Sequence, residues 1–183
     1  MKKIFFTAAL MFAALFTFTA CDDDDEKVID EIVDAVKPVK VKAEFSFEPK
    51  DYIEFYDITV TYTDPAAGLK TITLGGNTTK WNCEAEYTYG SAPAQFICKV
   101  VGKLKSNYKD LIDKDKTYTL GYDRTGSVAA YNKEGKIVRT YGSLEKMTYT
   151  STIKGDKLLQ AVEEKSYLKE EMTFIDADIK INQ

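Results

Sequence analysis

The chain has 183 residues, 44% of them hydrophobic, and sets 25 Lys and Arg against 29 Asp and Glu for a net charge of −4. An acidic chain with no basic block is a poor nucleic-acid binder, because affinity for a polyphosphate rests on lysine and arginine. Histidine is absent, which excludes serine–histidine and cysteine–histidine catalysis, the HExxH metalloprotease motif and mixed cysteine–histidine zinc sites.

The chain opens with Lys2 and Lys3, an uncharged run from Ile4 to Phe18, and small residues at Thr19 and Ala20 before Cys21. This is the three-part plan of an export signal. The run falls short of the roughly 20 apolar residues a membrane span needs, so residues 1–20 are expected to be cleaved. Phe18-Thr19-Ala20-Cys21 resembles the lipobox of bacterial lipoproteins, in which a small residue precedes the cysteine to be acylated, although Phe18 stands where an aliphatic residue is usual. The resemblance implies lipid on Cys21 and attachment to the membrane through acyl chains. Lys2 and Lys3 leave with the signal, so 23 basic residues then face 29 acidic ones, a net −6 that anionic lipid repels.

Asp22-Asp23-Asp24-Asp25-Glu26-Lys27 follows the cysteine at once and is expected to stay solvated as a tether. A cysteine followed directly by an acidic patch looks like the surface-export signal of Bacteroidetes lipoproteins. It implies an outer-membrane anchor with the protein at the cell surface, the periplasmic face being the alternative. Ile29, Ile32, Val33 and Val36 then recur at helical spacing and Pro38 ends the segment, which predicts a short amphipathic helix over 28–36. Residues 21–38 thus read as tether and helix, and 39–183 as a single domain.

From Val39 the period becomes two: Val39, Val41, Ala43, Phe45 and Phe47 alternate with Lys40, Lys42, Glu44, Ser46 and Glu48, as in a strand with one buried face. Tyr56, Ile58, Val60 and Tyr62 repeat the pattern before the breaker Asp64-Pro65-Ala66-Ala67-Gly68. Further strands are predicted over 69–74, 80–88, 95–103, 117–123, 128–132, 136–141, 144–153 and 171–181. One helix is predicted from Asp156 to Lys165, with Leu158, Leu159 and Val162 as its apolar stripe; residues 104–116 fit either a helical turn or a loop. Short strands with regular turn signals point to a sandwich or a barrel. Val128 to Gly135, where alternating apolar residues run into an Asn-x-x-Gly turn, resembles the final hairpin of fibronectin-type and other immunoglobulin-like domains. The resemblance implies an immunoglobulin-like antiparallel β-sandwich, with a small lipocalin-like barrel that binds a hydrophobic ligand as the alternative.

With Cys21 assigned to lipid, Cys83 and Cys98 remain as a pair in an exported chain, the setting in which disulfides persist. They are symmetric about Gly90-Ser91, so a hairpin centred there would oppose them across two antiparallel strands and allow a disulfide; two free buried thiols are the other reading.

No motif commits the chain to catalysis. Ser-x-x-Lys occurs at Ser106, Ser143, Ser151 and Ser166, too often in a lysine-rich chain to select a nucleophile, and its companion elements are missing. No Gly-x-Ser-x-Gly elbow, phosphate-binding loop, dinucleotide fingerprint or calcium loop occurs, so no catalytic residue, metal or cofactor is assigned. Carboxylates are plentiful enough to leave a paired-carboxylate hydrolase as an alternative. Aromatics are the suggestive excess, because tyrosine and tryptophan both fill β-sandwich cores and stack on sugars or anchor interfaces. Trp81 is expected in the core, whereas Tyr87, Tyr89 and Tyr131, near predicted hairpin tips, are candidate ligand contacts. These readings converge on a non-catalytic binding or structural module whose partner is a glycan or an envelope protein.

Overall fold

The computed structural model describes residues 33–75, 78–163 and 168–181. The export signal, Cys21, the acidic run and residues 28–32 of the first helix lie outside them; residues 33–36 are helical. The period-two segments become strands: β1 (Lys40–Lys50), β2 (Tyr56–Asp64), β3 (Gly68–Leu74), β4 (Trp81–Thr88), β5 (Gln95–Leu104), β6 (Thr117–Tyr131), β7 (Ile137–Lys154) and β8 (Glu171–Lys180). They build two four-stranded sheets, β4-β1-β6-β7 and β3-β2-β5-β8, paired antiparallel throughout. The sheets stack as the expected sandwich, and the described strands close no barrel.

Alternation puts Val41, Phe45 and Phe47 of β1, Ile58 and Val60 of β2, Phe96 and Val100 of β5, and Leu120 and Val128 of β6 into one shared core. Each such side chain, once buried, contributes about 1.5–3 kcal/mol. An aromatic group fills one end, where the Phe174 ring lies 5.1 Å from Phe47, 5.2 Å from Tyr122 and 5.9 Å from Tyr52 between ring centres.

Two strands run further than their sequence suggests. β6 continues through Arg124-Thr125-Gly126, and β7 continues through Gly142. Neither glycine is a break. A Cβ on Gly126 would run into the Phe45 ring, and one on Gly142 would lie 2.9 Å from Ile179 Cγ1, so each glycine lets a neighbouring side chain lie against the strand. The turn between β6 and β7 is the predicted one: Gly135 N–H donates to the Asn132 carbonyl at 3.1 Å, and Lys136 N–H donates to Asn132 Oδ1 at 2.9 Å. Gly135 takes φ 78°, a conformation that favours glycine.

The hairpin expected about Gly90-Ser91 does not form. The chain turns there through a 3₁₀ turn, Tyr89–Ser91, and passes from one sheet to the other. β4 is an edge strand held by β1, and β5 is a central strand held on both sides by β2 and β8. Its apolar run fits that central place and leaves no free edge for β4. Phe45 therefore stands opposite Cys83, Tyr62 and Ala177 stand opposite Cys98, and both cysteines are free thiols. The hairpin disulfide is thereby corrected.

The predicted helix is present as α2 (Gly155–Glu163), with Leu158 and Val162 buried; residues 164 and 165 lie outside the described set. The segment 104–116 holds a single 3₁₀ turn, Tyr108–Leu111. One element has no counterpart in the sequence reading: a one-turn helix, α1 (Tyr52–Phe55), which buries Tyr52 and Phe55. It is entered through Lys50 at φ 46°, and Asp51 N–H donates to the Thr119 carbonyl at 3.1 Å.

Candidate functional site

Because β1 lies between β4 and β6, its outward residues meet outward residues from both neighbours. Glu44 stands opposite Glu84 and Ser127, and Ser46 stands opposite Asn82 and Thr125. These six side chains line a shallow depression of about 230 Å³ on the outer face of the sheet, where Phe45, Cys83 and Gly126 also contribute to the lining.

The depression is acidic. Glu44 and Glu84 are exposed and directly opposed, an arrangement of like charges that destabilises a strand pair in the absence of a cation. Two lysines nearby are turned elsewhere: Lys40 and Lys42 lie 3.4 and 3.2 Å from Glu86, one outward position further along β4. The Lys42 hydrogen bond holds the Glu86 carboxyl below its ordinary range, and the same contact raises Lys42. Glu44 and Glu84 are left as acceptors, flanked by hydroxyl and amide groups that both donate and accept. The arrangement suits a hydroxyl-rich or cationic ligand and offers no apolar slot. No group of three or more metal-ligating side chains occurs among the described residues.

The aromatic candidates are dispersed. Tyr87 points inward from β4 and sets its ring 5.5 Å from that of Phe96; burial pushes its phenol up. Tyr89 lies in the turn after β4 against Tyr141, whose phenol is raised by burial and by its hydrogen bond with Tyr89. Tyr131 is on the outer face, with the Lys42 ammonium 5.7 Å from its ring centre. Tyr87 and Tyr131 thus occupy opposite faces of one sheet. Trp81 is buried against Tyr62, their ring centres 5.0 Å apart.

Leu69, Ile137, Met147 and Tyr149 are exposed apolar side chains that the sequence did not single out. Tyr149 and Met147 of β7 are 51% and 38% exposed, and Tyr122 links them to the core, its hydroxyl 3.5 Å from Met147 Sδ and its ring centre 6.1 Å from that of Tyr149. Alternation places both toward the inner side. Only the strand order reveals that this stretch of edge strand is left uncovered. Glu44 and Glu84 likewise read as outward by period, but their pairing depends on β1 and β4 being neighbours. The chain matches no family model, no curated protein and no solved structure.

Proposed function

We propose that this chain is a lipid-anchored lipoprotein of the cell envelope, acylated on Cys21, whose sandwich binds a hydroxyl-rich envelope ligand, a glycan, without transforming it. The single observation that carries the binding reading is the depression between Glu44, Ser46, Asn82, Glu84, Thr125 and Ser127. Carboxylates that accept hydrogen bonds, set beside hydroxyl and amide groups of both polarities, are what sugar hydroxyls require. The leader, the lipobox-like Cys21 and the acidic run behind it support the address and favour the outer face of the outer membrane.

Cosedimentation with insoluble envelope polysaccharide tests the binding. Wild type is expected to pellet with the polymer, and the Glu44→Gln/Glu84→Gln variant to stay in solution while unfolding at an unchanged or higher temperature. Retention of the variant at the wild-type level would remove the depression from the reading. Protease shaving of intact cells tests the address, because full protection would place the domain on the periplasmic side.

The opposed Glu44 and Glu84 also favour a second reading, an envelope hydrolase using paired carboxylates. Both are exposed on an open sheet face, whereas a general acid for glycoside cleavage is usually held protonated by apolar surroundings. Release of reducing ends from the polysaccharide by wild type, abolished in Glu84→Gln, would establish that reading over simple binding.

A further inference from the structure

We propose that Cys83 and Cys98 are partners across the sandwich, closing a disulfide between the two sheets when the chain folds in an oxidising compartment. Trp81, Cys83, Ala85 and Tyr87 share the inward face of β4, and Phe96 and Cys98 share that of β5, with Tyr62 the neighbour of Cys98 on β2. Two ring contacts between the sheets bracket the pair, Trp81 to Tyr62 at 5.0 Å and Tyr87 to Phe96 at 5.5 Å. Cys83 lies between Trp81 and Tyr87 along its strand, and Cys98 lies between Tyr62 and Phe96 on the facing sheet.

Packed sheets stand about 10 Å apart, and a disulfide needs Cα atoms within about 7 Å, so the sheets must narrow locally. Ala85 beside Cys83 and Ala177 opposite Cys98 are small, whereas Phe45 stands opposite Cys83 and Tyr62 opposite Cys98. Burial pushes Cys98 up to about 12, and Cys83 adds to that rise.

Oxidation removes two protons and two electrons from the pair, and an external disulfide accepts them and leaves as two thiols. The half-buried Cys83 forms the mixed disulfide. Cys98 sulfur then attacks Cys83 sulfur, forming the bond between the sheets and releasing the oxidant's second thiol. Since Cys98 is fully buried and resists ionisation in the closed fold, the exchange belongs to folding, before the inward face of β5 is sealed.

The pairing rests on the exported reading only for its oxidant, so the test has two arms. The full chain carrying Cys21→Ala is refolded in a glutathione redox buffer, then alkylated in denaturant with and without prior reduction. The expected result is no alkyl group before reduction and two after, in a monomer with one Cys83–Cys98 cross-linked peptide. Two alkyl groups before reduction, in protein shown by Trp81 fluorescence to be folded, or a disulfide-linked dimer, would overturn the pairing. Cys98→Ala removes the partner and should leave Cys83 fully alkylatable. The second arm alkylates the protein in intact cells. A bond formed in the refolding buffer with thiols still free in the cell supports the pairing and contradicts the exported address.

Discussion

Gly126 faces the Phe45 ring so closely that any side chain there meets it, with Phe45 Cε1 2.9 Å from an added Cβ, whereas an added Cβ on Gly90 meets nothing within 4 Å. Gly126→Ala is therefore expected to destabilise the domain by about 1–3 kcal/mol in urea unfolding, and Gly90→Ala to change it far less. In the sequence Gly126 looks like the end of a strand, because a glycine is read from what it lacks and not from the neighbour that occupies the space. Tyr56 shows a second effect that depends on the fold. Its hydroxyl donates to the Lys169 carbonyl at 2.9 Å, and burial pushes its pKa from about 10 to about 12. A phenol raised in the folded state contributes stability that is present below pH 10 and lost as pH climbs toward 12. Tyr56→Phe should accordingly flatten the fall in urea midpoint between pH 10 and 12. An unchanged slope would contradict this role for Tyr56.

At the scale of elements, local signals were legible where they are satisfied locally. The alternation of β1 and β2, the stripe of α2 and the Asn132 turn are each written within a few neighbouring residues. Asn132 is 1% exposed and its side chain accepts from Lys136 N–H, so Asn132→Ala should cost about 1–3 kcal/mol by leaving a donor unmet. Leu158, fully buried on α2, should cost about 2–5 kcal/mol when cut to alanine. The turn about Gly90-Ser91 was also legible as a turn. Its destination was not, because nothing near it records that both edges of β5 are taken by β2 and β8. α1 was hidden for a related reason: one helical turn is too short for a period, and its partners in the core come from distant strands.

For the whole molecule, strand order decides what the surface carries. Period two assigns Glu44, Ser46, Asn82 and Glu84 to outer faces one strand at a time, and Thr125 and Ser127 fall in the gap between two predicted strands; only the continuous β6 and the order β4-β1-β6 gather them around one depression. The same order scatters Tyr87, Tyr89 and Tyr131 and leaves Tyr149 exposed on the β7 edge. The thiol pairing follows the same logic, since spacing suggested a partner within a hairpin and stacking supplies one from the facing sheet. The proposed envelope function joins this domain to the features of the first 27 residues, and its central claim is the lipid on Cys21. Cells expressing the full chain should be fed an alkyne-tagged fatty acid, and the protein purified for intact mass and N-terminal peptide analysis. The account predicts a labelled protein beginning at an acylated Cys21, with all label lost in Cys21→Ala. An unlabelled chain that retains residues 1–20, or one cut elsewhere, would contradict it.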